Sequence, residues 1–338
     1  MTEIVISPYH PWLAPLSGFS DLPFRLVCRR QGCSVTVTEM VSAKGLFYNF
    51  DNTMKYLETT EEDSPLVVQL FGEDPKCIGN AISTLLKKGY KYFDLNAGCP
   101  VKKVTKTGGG AALLKDLKRL KNILMSMIDA AGENRVGVKI RLGWNKESPV
   151  YLEIGEMASE LNIAWIGIHP RYAKEGFSGR AKWECIKKLK ENTDVPVIAS
   201  GDLFSAKDGV NCIINTKADS VMFARGALKN PLIFKEYKML LKRCSMFALQ
   251  DSMVNEEKLH DINYWLLKIE VIKTHIELIK KYGRDKNPIF RLRGILARYL
   301  RGFNRSKFYR EMAVKVNSWE EVNRLLQILE EDVRNENH

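Results

Sequence analysis

The stretch Asp94-Leu95-Asn96-Ala97-Gly98-Cys99-Pro100, running on through Val101-Lys102-Lys103 to Gly108-Gly109-Gly110, decides how the rest of the chain is read. A short apolar strand over residues 91–96 enters a small-residue turn that presents one cysteine. A glycine-rich loop and a new helix follow. A residue just past the C-terminal end of a buried strand stands where α/β folds place chemistry. A free cysteine is more often a small buried hydrophobe. Here Gly98 and Pro100 make the turn open, and Lys102 and Lys103 make it electropositive, so Cys99 is a candidate for a chemical role.

Outward from this turn, strand and helix signals alternate. Short apolar runs at 12–16, 35–39, 66–70, 92–96, 137–141, 164–169, 196–200 and 220–224 read as strands buried on both faces. Amphipathic helices are expected between them, near 22–30, 150–161, 183–190 and 206–215. The clearest covers 75–88, with Asp74 as cap, Pro75 in the first turn, Gly89 at the end, and Ile78, Ala81, Ile82, Leu85 and Leu86 on one face. Residues 116–128 repeat the pattern. Eight such units make a (β/α)8 TIM barrel; a doubly wound sheet is the rival, but no G-x-G-x-x-G follows the first strand. After residue 242 the pattern becomes helical only, with a polar linker at Asp251 to Lys258 and helices near 261–283, 288–303, 307–314 and 319–332. The domains expected are a catalytic barrel over 1–245 and a four-helix domain over 246–338.

The chain has 338 residues, 45% hydrophobic and 27% charged, and no apolar run long enough to span a membrane. Residues 1–11 carry no secretory pattern, and the seven scattered cysteines form no C-x-x-C pair, so neither a zinc site nor a disulfide framework is expected. The expectation is a cytoplasmic monomer without metal. The net charge of +12 points to a polyanionic partner. It concentrates in 286–310, where eight basic residues, Arg291, Arg293 and Arg298 among them, alternate with aromatics and no Asp or Glu intervenes. That pattern favours a nucleic-acid phosphate surface over an ordinary solvated face.

In a barrel the strand ends carry the site. Ser200-Gly201-Asp202 and Ala224-Arg225-Gly226, the latter leading into a short helix, read as a phosphate cradle. Lys139 interrupts an apolar strand and needs an anionic or hydrogen-bonding partner. His169, Gln69 and Asn96 add groups able to donate and accept. This set suits a flavin mononucleotide; a sugar phosphate would satisfy much of it.

Residues 13–25 (Leu-Ala-Pro-Leu-Ser-Gly-Phe-Ser-Asp-Leu-Pro-Phe-Arg), Thr38-Glu39-Met40-Val41-Ser42, Val68-Gln69-Leu70-Phe71-Gly72, Asp94 through Leu114, Val138-Lys139-Ile140-Arg141-Leu142-Gly143-Trp144 and Ile168-His169-Pro170-Arg171 together resemble the tRNA-dihydrouridine synthase family. Ser200-Gly201-Asp202 and residues 224–228 continue the resemblance, with Pro170, Ser200 and Ala224 departing from the family's usual residues. It implies an FMN-containing barrel with a helical RNA-binding domain that reduces uridines in tRNA with NADPH or NADH. It implies that Pro15, Leu16 and Ser17 line the flavin, that Gln69, Lys139 and His169 contact its ring, and that Ser200, Gly201, Asp202, Ala224 and Arg225 hold ribityl and phosphate. Cys99 would donate a proton to uracil C5 after hydride reaches C6, and Asn96 would help place the base. Arg141, Arg171, Lys102 and Lys103 are candidates for substrate or RNA contacts. The competing readings are a small-molecule FMN oxidoreductase of dihydroorotate-dehydrogenase type, a synthase acting on another structured RNA, and a nucleic-acid-binding protein with a degenerate barrel. The small-molecule reading leaves the arginine-rich helices unexplained.

Overall fold

All eight expected strands form, and every pairing between them is parallel. In a computed structural model, which describes residues 3–246 and 262–335, they are β1 (Trp12–Leu13), β2 (Val35–Val37), β4 (Leu66–Phe71), β5 (Tyr92–Ala97), β6 (Val136–Arg141), β7 (Trp165–His169), β8 (Val197–Ala199) and β9 (Ser220–Phe223). A two-residue piece, β3 (Val41–Ser42), also pairs with β4. The ring closes because β1 pairs with both β2 and β9, and β2 also pairs with β4. Helices surround it, the longest being Leu117–Ala131 and Ile233–Met246. The latter was not expected, although Ile233, Phe234, Tyr237, Leu240 and Leu241 recur at helical spacing and are buried.

Strand alternation sorts each strand into two layers. Phe93, Leu95, Val138, Ile140, Ile166 and Ile168 point outward into the main apolar core beneath the helices. The inward positions carry the barrel filling, with Trp12, Val37, Val67, Trp165 and Ile198 at its lower end. Above them the inward side chains turn polar, and this is where the site begins.

The second strand is broken. Thr36 and Val37 pair with Leu66 and Val67, whereas Val41 and Ser42 pair with Leu70 and Phe71. From Val37 to Val41 is four steps, and the partner covers Val67 to Leu70 in three. One extra residue makes a bulge, which re-aims side chains at a barrel rim. It delivers Glu39, whose Oε2 accepts from the Gly18 amide at 2.6 Å, and Met40, which reaches the cavity described below. The sequence reading of one uninterrupted strand to residue 39 is corrected accordingly.

The helices Ile262–Tyr282, Pro288–Tyr299, Ser306–Ala313 and Trp319–Asn335 build a second core. The first of them is apolar on two faces. Ile269, Ile272, Ile276 and Ile279 face its own bundle, while Val271 and Leu278 join the barrel's core. The expected linker at Asp251 to Lys258 lies outside the described residues.

The arginine-rich segment is not the unpartnered face that its own sequence implies, because the acids come from elsewhere in the chain. Arg291 reaches Asp21 at 2.6 Å and Asp285 at 2.9 Å, and also donates to the Gly18 carbonyl. Arg305 pairs with Asp332, and Arg284 pairs with Glu39. Arg293 donates to the Val316 carbonyl. Arg291 and Arg284 are thus struts between the helical unit and the barrel rim. Asp21 caps the helix Leu22–Arg30 and is only 4% exposed in its side chain. Arg291→Ala leaves that carboxylate buried and unpaired, which costs about 3 kcal/mol. Urea denaturation should show the loss, and Asp21→Asn in the Arg291→Ala background should recover part of it.

Candidate active site

The turn that carries Cys99 is held from three sides. From β5, the Asn96 Oδ1 accepts the amides of Gly98 at 3.2 Å and Cys99 at 2.9 Å. From β6, Arg141 donates to the Gly98 carbonyl at 2.9 Å and ties the same point to the loop after β7 through the carbonyls of Tyr172 and Gly176. From the glycine-rich loop, Ala111 donates to the Cys99 carbonyl at 2.9 Å. Gly110, at φ +60°, permits this approach, since a Cβ there would lie 2.7 Å from that carbonyl oxygen. A half-buried thiol therefore stands at a fixed place on the rim.

Behind it opens a cavity of about 450 Å³ at the C-terminal mouth of the barrel. Its floor and one wall are Ala14, Pro15, Leu16 and Ser17 with Met40 and Met222. The opposite wall presents Gln69, Asn96, Lys139, Arg141 and His169. Neighbouring strands set these side by side: Asn96 is the register partner of Lys139, and Arg141 is that of His169. Burial pulls the Lys139 ammonium down to about 8, against the pull of the Asp94 carboxylate. Burial, reinforced by Lys139, Arg141, Arg171 and Arg225, takes His169 down to about 2, so its ring is neutral. Arg171 Nη1 lies 3.0 Å from His169 Nε2. A guanidinium only donates, so Nε2 accepts and Nδ1 carries the proton. The wall thus offers a cation and a neutral imidazole in one set tautomer.

At the other end, Gly201 and Asp202 turn sharply with φ +97° and +56°. Asp202 accepts from Arg171 at 2.7 Å, the Ala181 amide at 2.8 Å and Arg225 at 3.1 Å. Its carboxylate is therefore committed to the protein, and its contribution to an anion site is to aim Arg225. Arg225 is also clasped between the rings of Phe177 and Phe204, at 4.7 and 4.8 Å from their centroids. Ser200 Oγ donates to the Met222 carbonyl at 3.0 Å and its amide to the Ile168 carbonyl at 3.0 Å, so both of its donors are committed to the protein. Ala224 lines the same end. Two arginines around one carboxylate leave a net positive place for a phosphate-sized anion, beside a slot suited to a flat, hydrogen-bonding ring.

Several expected residues lie elsewhere. Arg171 is 1% exposed behind the wall and acts as a brace on His169, Asp202 and the carbonyls of Ser178 and Gly179. Lys102 and Lys103 are exposed on the short helix Lys102–Thr105 just beyond the Cys99 turn. Arg291 and Arg293 are outside the cavity, but Arg298 stacks on Phe19, which lines it, at 4.8 Å. The sequence reading missed Phe177, Phe204 and the buried Asp94. Phe177 was signalled by its place between Gly176 and Gly179, and Asp94 by being a carboxylate inside an apolar strand. Among the described residues no group of His, Cys, Asp and Glu converges to hold a metal.

A family model described as Dihydrouridine synthase (Dus) matches residues 12–337. This chain belongs to the dihydrouridine synthase family. It is 33% identical over 301 residues to tRNA-dihydrouridine synthase B of Pasteurella multocida, covering 89% of this chain and 86% of that protein. It is 37% identical over 233 residues to a probable tRNA-dihydrouridine synthase of Aquifex aeolicus, covering 67% and 72%. Among solved structures, histamine dehydrogenase from Rhizobium sp. 4-9 shares the fold, with TM-score 0.54 and 13% identity over 81% of this chain and 50% of that one. The family match embraces both the barrel and the helical unit of this dihydrouridine synthase.

Lys139 tests the trade between stability and anion binding. Lys139→Met should make the ligand-free enzyme about 1 kcal/mol more stable at neutral pH, because a desolvated charge is removed. The wild type should gain stability between pH 8 and 10.5, where the unfolded chain holds the lysine proton more tightly than the folded one. Denaturation curves of the variant should lack that increment, and the cavity's affinity for anions should fall.

Proposed function

We propose that this enzyme reduces the C5–C6 double bond of uridines in tRNA, with FMN held in the barrel mouth and NADPH or NADH as the reductant. The observation that carries the reading is the pinned Cys99 on the rim of the cavity that Lys139 and His169 also line. The relatives named as tRNA-dihydrouridine synthases support the substrate. FMN, when bound, supplies the hydride that reaches C6 of the base.

The chain's own residues do the rest. Pro15, Leu16 and Ser17 would flank the ring, and Gln69, Lys139 and the Nδ1–H of His169 would meet its polar edge. The positive charge of Lys139 would stabilise negative charge on a bound ring. Ser200, Gly201, Asp202 and Ala224 would surround ribityl and phosphate, with Arg225 paired to the phosphate. Cys99 holds the proton that goes to C5 on the face opposite the hydride. A thiol carries an S–H proton that such a step can consume. Asn96 would place the base through the turn it fixes, its own amide being committed to Gln69, Met40, Gly98 and Cys99, while Arg141 fixes the same turn and lines the cavity beside the base. The uridine must be unstacked to enter.

RNA phosphates would meet Lys102 and Lys103 beside the mouth and Arg293 and Arg298 on the helical unit. Arg291 serves the same surface indirectly, as a strut. The reading carries with it a cytoplasmic, monomeric enzyme. Purified enzyme with NADPH and unmodified tRNA transcript should yield dihydrouridine, detected by nucleoside mass spectrometry.

Cys99→Ala should keep flavin binding and reduction by NADPH while transfer to tRNA falls by about 100-fold or more. Transfer at the wild-type rate would remove Cys99 from the chemistry. Lys102→Ala with Lys103→Ala should reduce the slope of log affinity for tRNA against log salt by about 2. An unchanged slope would place the phosphate contacts on another surface.

A further inference from the structure

Four inward positions stand in one row across neighbouring strands: Gln69 on β4, Asp94 on β5, Gly137 on β6 and Trp165 on β7 are successive register partners. Gly137 contributes no side chain, and a Cβ there would lie 1.9 Å from Trp165 Nε1. The indole therefore crosses over β6 and donates to Asp94 Oδ1 at 3.1 Å. The other oxygen, Oδ2, accepts from Gln69 Nε2 at 2.7 Å. Gln69 Oε1 in turn accepts from Asn96 Nδ2 at 2.8 Å, and Asn96 Oδ1 accepts from the Cys99 amide.

Both ends of this chain, the indole N–H and the backbone N–H, can only donate. Each amide between them must turn its oxygen toward the Cys99 end and its NH2 toward Asp94. Position 94 therefore has to accept from both sides, which an ionised carboxylate does. An asparagine, or a protonated aspartic acid, would set donor against donor at one of its two contacts. We infer that Asp94 is a positioning residue for Cys99: its carboxylate fixes the polarity of the Gln69 and Asn96 amides and through them the turn that aims the thiol. Burial raises the Asp94 carboxyl to about 6, with Gln69, Trp165 and Lys139 holding it down, so it is mostly ionised at neutral pH.

The inference rests on the proposed proton-donor role of Cys99 for its catalytic consequence, but not for its geometry. The test uses the holoenzyme and three near-isosteric variants: Asp94→Asn, Gln69→Glu, and the two together. In the double variant the asparagine at position 94 accepts from Trp165 and donates to the carboxylate now at position 69. That carboxylate also accepts from Asn96, so the polarity is whole again with the charge moved one strand over. Two readouts are followed: the rate of Cys99 alkylation by iodoacetamide, read on its own peptide by mass spectrometry, and transfer from the NADPH-reduced enzyme to tRNA. Asp94→Asn should lower transfer by about 100-fold, the scale of a misplaced reacting group, and change the alkylation rate. Gln69→Glu sets two carboxyls face to face, and one proton shared between them lets the glutamic acid donate to Asp94 as the glutamine does, so its transfer should fall only as that proton is lost at higher pH. The double variant should return the alkylation rate to the wild-type value and recover transfer by about tenfold over Asp94→Asn. A double variant no better than Asp94→Asn, or an Asp94→Asn enzyme with wild-type alkylation, overturns the inference. If a single variant fails to fold, alkylation in the double variant decides alone. A wild type that makes no dihydrouridine refutes the proposed function, and the alkylation result still decides the network.

Discussion

Closure of the parallel barrel is the constraint on which the rest depends. Because the strands are parallel and the ring is shut, every strand ends at the same mouth, and inward side chains of neighbouring strands meet in rows. Gln69 beside Asp94, Asn96 beside Lys139 and Arg141 beside His169 are consequences of register. None of these pairs is close in sequence. Closure also keeps the short strands β1 and β8 paired on both sides.

Within that mouth, stability gives way to chemistry. Lys139 is desolvated by its surroundings, His169 is kept neutral by burial and the cations around it, and Asp94 lies almost fully buried. Each costs folding free energy that the aliphatic layers outside the ring offset. The two acids at the site differ in use. Asp202 gathers two arginines at the anion end, whereas Asp94 accepts from neutral N–H groups and gives direction to a line of amides.

The helical unit is joined to the barrel by polar struts as well as by Val271 and Leu278. Arg291 meets Asp21 and Arg284 meets Glu39, and both acids belong to loops at the barrel mouth. The same contacts that dock the unit thus fix the rim segment containing Gly18, which accepts from Arg291 and donates to Glu39. An RNA held by the remaining basic residues would be referred to the cavity through this rim.

By itself the sequence determined the eight-strand barrel, the helical C-terminal unit and the stations of Cys99, Lys139, His169 and Arg225, because apolar alternation and strand-end position are local properties. It also carried the helix Pro75–Lys87, whose cap and first proline are written in adjacent residues. The bulge between β2 and β3, the pairing of Arg291 with an acid about 270 residues away, and the pairing of the Arg171 guanidinium with the Asp202 carboxylate were decided only in the tertiary structure. So was the line from Trp165 to Cys99. The physical reason is the same for all of them: hydrogen-bond polarity and charge pairing depend on which groups face one another across strands and domains, and a side chain's type does not say what it will face.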